Sequence, residues 1–188
     1  MKSKLSKAVC YLSGSMEYCP NGGTSWRNEL KKQCWSNGID ITFLDPTNKP
    51  KGLTGEGDGK YNNIRKAKDW HTLKEFVHQI RRDDLRCVDL CDFVIVLIDR
   101  NIHACGTYDE VFTAEDQHKP ILCISVGGKE NLPGWMFDVV EIEEIFDNVE
   151  QCVEYLRDIH TGVKVMDNRW VLIRDYLTDK GYTDVTKE

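Results

Sequence analysis

Phe93–Val94–Ile95–Val96–Leu97–Ile98 is an unbroken apolar run, and Val94, Ile95, Val96 and Ile98 are β-branched. A strand with one wet face would alternate apolar and polar residues. An amphipathic helix would show a polar residue in every turn. A run this short and this apolar reads as a buried strand of a parallel sheet. A few residues later comes Cys105–Gly106–Thr107–Tyr108–Asp109–Glu110, a glycine turn just beyond the strand's carboxyl end. Open α/β sheets place their ligands there.

The rest of the chain supplies partners for that strand. Ala8–Leu12 is a first strand, ending in Ser13–Gly14–Ser15. Thr24–Asn37 is a helix, with Thr24 or Ser25 as N-cap and Gly38 as stop. Ile39–Leu44 is a second strand, ended by Asp45–Pro46. Asn48–Lys60 is polar, carries Pro50, Gly52, Gly55, Gly57 and Gly59, and reads as a long loop. Trp70–Cys87 is a helix, with Leu73, Phe76, Val77 and Ile80 at helical spacing. After the Phe93–Ile98 strand, Tyr108–His118 is a helix that Pro120 stops. Ile121–Val126 is a fourth strand and Val139–Ile142 a short fifth. Asn148–His160 is a helix, with Asn148 and Gln151 spaced as a capping box. Asn168–Leu177 is a closing helix. Strands alternating with helices predict an α/β, doubly wound sheet of five parallel strands in the flavodoxin-like order 2-1-3-4-5. Residues 1–188 read as one domain, with 167–188 as C-terminal helix and tail.

Charge and cysteine usage narrow the function. The net charge is −6, which argues against a broad basic surface for a nucleic acid polymer. A small anion in a local pocket is not excluded. The eight cysteines form no CxxC pair and no zinc-like Cys/His spacing. They read as reduced thiols, Cys10 and Cys123 inside strands, and the expectation is a cytoplasmic protein with no metal and no cofactor. No segment reads as a signal peptide or a membrane span. The loop glycines are not followed by Gly-Lys-Ser/Thr, so there is no P-loop, and no GxGxxG turn follows the first strand.

In this topology three segments converge at the carboxyl ends of the strands: Tyr11–Ser15, Asp45–Asn48 and Ile102–Glu110. The helix before the third strand adds Asp83–Asp84–Leu85. Such a pocket suits a neutral or cationic polar ligand such as a nucleoside. Each residue also has a plainer reading. Glu110 complements a helix dipole, Asp84 pairs with Arg81 or Arg82, Tyr11 is core, and Asp92 caps its strand. His103 is then a loop residue, and Ser13 and Ser15 serve the turn.

Taken together, Tyr11–Leu12–Ser13–Gly14–Ser15, Asp84–Leu85 with Asp92 eight residues on, Gly106 and Glu110 resemble the nucleoside 2-deoxyribosyltransferase family. That family includes the deoxynucleoside 5′-monophosphate N-glycosidases. The resemblance runs through about the first two-thirds of the chain by motif order. It implies that Glu110 is the nucleophile that forms a glycosyl ester. It also implies that Asp84 is an acid at the base or sugar, and that Tyr11 holds the nucleophile. Gly14 and Ser15 are the turn that meets the phosphate in monophosphate-cleaving members. Ser13, Asp45, Asp92, His103 and Gly106 complete the expected substrate contacts. The chemistry is consistent. A carboxylate stabilises the positive charge that builds on the sugar, and a second acid protonates the leaving base.

The chain departs from the family pattern at two places. Ala104 stands where members carry Asp or Ser, with His103 beside it as a substitute. Glu17 stands where monophosphate-cleaving members carry Arg, so it would repel a phosphate unless Arg27, Arg65 or Lys60 reaches in. The family also completes its site from a neighbouring subunit through the loop after strand four. Here that loop offers Asn131, Trp135 and Met136, and a homodimer or larger assembly is implied. Two other readings stay open. Gly106–Thr107–x–x–Glu110 also resembles the turn of the cytokinin-activating phosphoribohydrolases, without their upstream glycine pair. A nucleotide-binding module without turnover is the other.

Overall fold

The structure is a computed structural model and describes residues 4–19, 21–49 and 60–173. In chain order the elements are β1 (Ala8–Gly14), α1 (Thr24–Ser36), β2 (Ile41–Leu44), α2 (Lys60–Lys66) and α3 (Trp70–Leu90). They continue with β3 (Phe93–Ile98), α4 (Cys105–Asp116), β4 (Ile121–Ser125), α5 (Met136–Val139), β5 (Ile145–Phe146) and α6 (Val149–Thr161). The five strands form one sheet in the order β2-β1-β3-β4-β5. All four pairings are parallel, as the apolar runs predict.

Strand alternation divides the core into two layers. Cys10 and Leu12 of β1 point to one face, against Leu30 and Cys34 of α1 and Cys152, Val153 and Leu156 of α6. Tyr11 points to the other, against Val88 of α3 and Val111 and Ala114 of α4. Every β3 residue except half-buried Leu97 is buried. Each such side chain contributes about 1.5–3 kcal/mol of burial, which accounts for the run's unbroken apolarity.

The structure moves several boundaries. β1 continues to Gly14, which carries the strand to the rim of the sheet. α3 runs on to Leu90 and α4 begins at Cys105. α1 is preceded by Gly23 in the left-handed region (φ 73°), not by a Thr24 or Ser25 cap. The fifth strand is Ile145–Phe146, not Val139–Ile142. Residues 136–139 are helical, because Pro133 and Gly134 carbonyls accept the Met136 and Phe137 amides and start a turn. Asn148 caps α6 through the Gln151 amide, while the Gln151 side chain accepts from the Asp147 amide one residue upstream of the capping-box position. Residues 50–59 of the expected loop, and the Asn168–Leu177 helix beyond 173, lie outside the described residues.

Residues 168–172 are turn and extended chain rather than helix. Trp170 and Leu172 insert into the core, with the Trp170 ring centroid 5.0 Å from that of Phe93. Arg169 donates to both oxygens of buried Glu144 at 3.0 and 2.9 Å. Asp92 accepts from the Ile173 amide at 3.0 Å and from the Val9 amide at 2.7 Å. Asp92 thus fastens this strap at the amino end of β3, and both its oxygens are used there. The strand-cap reading describes its place; the pocket lies at the opposite end of the sheet.

The carboxyl end of β1 is held by Arg27, which is completely buried. Its guanidinium donates to the carbonyls of Leu12, Gly14 and Gly23 and stacks 4.6 Å from the Trp26 ring. Gly14 has φ 152°, and a Cβ there would sit 3.1 Å from the Trp26 ring and 3.2 Å from the Leu97 carbonyl oxygen. Gly23 leaves room for the guanidinium: a Cβ there would come within 2.5 Å of Arg27 Nη1 and the Ser15 carbonyl oxygen. Replacing Arg27 by Met takes the side-chain donor from the Leu12, Gly14 and Gly23 carbonyls. It should cost about 3–5 kcal/mol, read as a fall in the urea midpoint with an unchanged slope.

Candidate active site

A cavity of about 640 Å³ opens at the carboxyl ends of β1 and β3. The turn after β1 (Gly14 to Tyr18), Tyr61 of α2, one face of α3 including Asp84, and His103 to Thr107 with Asp109 and Glu110 at the start of α4 line it. Glu110 lies in the second turn of α4. Its position follows from the sequence: the chain turns at Ala104, begins α4 at Cys105, and carries Glu110 back over the end of β1.

Both oxygens of Glu110 are held from β1. The Tyr11 hydroxyl donates to Oε1 at 2.8 Å, and the Ser13 hydroxyl donates to Oε2. Tyr11 and Ser13 are buried and share one face of the strand. Burial pushes the Glu110 carboxyl up to about 7, and Asp84 adds to the rise; Ser13, Tyr11 and Arg27 act in the opposite direction. Burial also raises Tyr11 well above the usual phenol range, reinforced by Glu110 and Asp84. Tyr11 therefore remains a hydrogen-bond donor across the neutral range.

Asp84, on α3, is buried. Its expected partner was Arg81 or Arg82. Instead Lys49 Nζ lies 2.7 Å from Asp84 Oδ1. Arg81 reaches Asp109 at 2.7 Å, and Arg82 reaches Asp83 at 3.1 Å. Burial raises the Asp84 carboxyl, offset in part by Lys49 and by the Tyr11 hydroxyl.

The remaining candidates divide into two groups. Gly14, Ser15, His103 and Gly106 line the cavity. The Ser15 hydroxyl oxygen is buried without a partner, and Ala104 offers α4 no side-chain cap. His103 is exposed, its ring meeting that of Tyr18 edge-on at 6.2 Å. Gly106 has no atom within 4 Å of the place a Cβ would take. Asp45 is elsewhere and already engaged: it accepts from Lys31 at 2.7 Å and from the Thr47 amide at 2.9 Å. Burial works to raise the Asp45 carboxyl, but Lys31 and Thr47 hold it below its ordinary value.

Of the cations expected to reach toward a phosphate, Arg27 is not available to a ligand, because its donors are spent on backbone carbonyls. The signal for its burial was there: it shares the buried face of α1 with Leu30 and Cys34. α2 was not legible as a contributor to the site. Its Arg65 pairs with Glu17 at 2.7 Å and stacks 4.7 Å from the Tyr61 ring. The acidic charge of Glu17 therefore has a counter-charge at the cavity mouth. All eight cysteines are free. Among the described residues, no cluster of three or more His, Cys, Asp or Glu is arranged to hold a metal ion. None of the described helices is long and apolar enough to cross a membrane.

The raised Glu110 carboxyl burdens the fold. The unfolded chain releases this proton near 4.5 and the native protein near 7, so between those values the native state binds more protons. Stability therefore falls as pH rises through that window, by up to about 3 kcal/mol at roughly 1.4 kcal/mol per pH unit. Glu110→Gln should recover most of this above neutral pH and change little at pH near 4. Urea unfolding of both proteins across that range measures it.

The architecture resembles that of solved structures. A 2-deoxyribosyltransferase from the psychrotolerant bacterium Bacillus psychrosaccharolyticus matches with a TM-score of 0.55 and 16% identity, over 79% of this chain and 92% of that one. A conserved protein from Enterococcus faecalis matches with a TM-score of 0.48 and 12% identity, over 81% of this chain and 99% of that one. No protein-family model matches the sequence, and no curated protein matches it. At this identity the likeness to the deoxyribosyltransferase establishes the fold: five parallel strands in the order 2-1-3-4-5 with helices on both faces.

Proposed function

We propose that the protein is an enzyme that cleaves or exchanges the N-glycosidic bond of a 2′-deoxynucleoside or its monophosphate, through an ester on Glu110. The observation that carries this reading is the clamp on Glu110: one hydroxyl on each oxygen, at the wall of a cavity large enough for a nucleotide. Tyr11 and Ser13 fix the carboxylate for attack at the anomeric carbon. Asp84, on the opposite helix, serves the departing base. Water as second acceptor gives hydrolysis; a second base gives exchange.

Two observations favour a phosphorylated substrate. The unpartnered Ser15 hydroxyl and the uncapped start of α4 both border the cavity, and amides at a helix start suit an anion. Arg65 also relieves the repulsion expected from Glu17. One observation favours the binding module without turnover: Ala104 supplies no polar group at the position where the resemblance expects one. On the catalytic reading, the exposed Trp135 and Phe137 after β4 are where a neighbouring subunit of a homo-oligomer would approach.

Incubation with each deoxynucleoside and deoxynucleotide, with and without an acceptor base, followed by mass analysis, tests the reading. Base release by the wild type and none by Glu110→Ala supports it. Tight binding with no release by the wild type gives the binding module instead. Since Glu110 must be ionised to attack, kcat/KM should rise with pH to a midpoint at about 7. Gly106→Ala should raise stability by about 0.5–1 kcal/mol, as a helical glycine replaced in open space. It should nevertheless lower kcat/KM, because the new methyl enters the cavity.

A further inference from the structure

We propose that Lys49 is the source of the proton that Asp84 delivers to the departing base, so that the buried pair works as one acid. The inference rests on the N-glycosidic reading above and adds a positioning residue that neither the motif order nor the resemblance indicated.

Lys49 follows the 3-10 turn Pro46–Asn48, which Asp45 caps. Its side chain is 5% exposed and that of Asp84 9%. Asp84 borders the cavity and Lys49 does not, so the ammonium stands behind the carboxylate as seen from a ligand. A lone aspartic acid in so dry a place would keep its own proton and act as an acid unaided. The neighbouring ammonium works against that option, because it favours the ionised form of Asp84 where burial favours the neutral one. An anion cannot protonate a leaving group, and it opposes ionisation of Glu110, the nucleophile. The arrangement is productive if the ammonium's proton is the one transferred.

The step balances. A Glu110 carboxylate oxygen forms the bond to the anomeric carbon as the carbon–nitrogen bond breaks, and its electron pair goes to the base. One proton passes from Lys49 Nζ to the Asp84 carboxylate, and the carboxyl so formed gives it to the base nitrogen and returns to the carboxylate. The products are a glycosyl ester, a neutral base and a neutral amine, so the summed charge is unchanged. The groups around Asp84 are Lys49, Asp83 and Cys87, with Tyr11 from β1 and Glu110 from α4. Those around Glu110 are Asp84, Tyr11 and Ser13, with Arg27 from α1. Lys49 is the cation in contact with Asp84; Arg27 lies on the Glu110 side.

The test compares two substrates that differ in their need for a proton: 2′-deoxyguanosine and its N7-methylated cation, whose base leaves neutral without one. Wild type, Lys49→Arg and Lys49→Met are assayed on both across pH. Arginine keeps the positive charge but does not give up its proton. Lys49→Arg should lose about 100-fold or more in kcat on 2′-deoxyguanosine while staying within about threefold of wild type on the cation. Lys49→Met should lose activity on 2′-deoxyguanosine above neutral pH and regain it as pH falls and Asp84 takes up a proton of its own. Its profile becomes a bell where the wild type has a plateau. Folding of each variant is checked separately by its urea midpoint. In a folded variant, equal losses on the two substrates, or no loss on either, would overturn the proposal. A wild type that cleaves neither substrate, nor any other deoxynucleoside or deoxynucleotide, overturns the N-glycosidic reading itself and this inference with it.

Discussion

Where β1 leaves the sheet at Gly14, its last carbonyls have no strand to accept from and no water to turn to. Arg27 supplies the donors from the buried face of α1. A buried guanidinium is costly unless its hydrogens are satisfied, and three backbone carbonyls together with Asp45 at 3.7 Å meet that need. The same contact fixes the turn that carries Ser15. It also places a positive charge behind Glu110, which eases ionisation of that carboxyl. The geometry of the rim and the charge of the cavity thus depend on one side chain.

The cavity is acidic by residue count, yet its charges are nearly matched. Asp84 faces Lys49, Asp109 faces Arg81, and Glu17 faces Arg65. The last two pairs are exposed and contribute little to stability; their effect is to cancel field at the mouth. Glu110 differs in being held by two neutral hydroxyls, with Arg27 acting on it without an ion-pair contact among the described residues. A carboxyl so placed titrates near neutrality, at a cost to the native state that hydroxyl donors only partly offset.

Much of this was legible in the sequence, for a physical reason. Phe93–Ile98 must be buried on both faces, so helices must cover it, and the strand order follows from alternation. Glu110, Tyr11 and Ser13 were legible because each sits at a fixed offset from a strand end. The fifth strand was misplaced because Ile145–Phe146 is too short to show a period, while Val139, Val140 and Ile142 imitate one. The strap was read as a helix, although burial of Trp170 and Leu172 with exposure of Val171 and Ile173 is strict two-residue alternation. The Lys49–Asp84 pair could not be foreseen. It joins segments far apart in sequence, and local pattern carries no information about which lysine a buried aspartate meets.

The strap at the amino edge has a bearing on how the molecule is made. Phe93 is shielded in part by Trp170, and Asp92 waits for the Ile173 amide. A nascent chain that has exposed β1 to β4 still lacks the lid of that layer. Since the ribosomal tunnel hides the most recently joined residues, this side of the sheet closes only after residue 173 has emerged. Until then the half-built protein presents Phe93 to whatever chaperone is nearby.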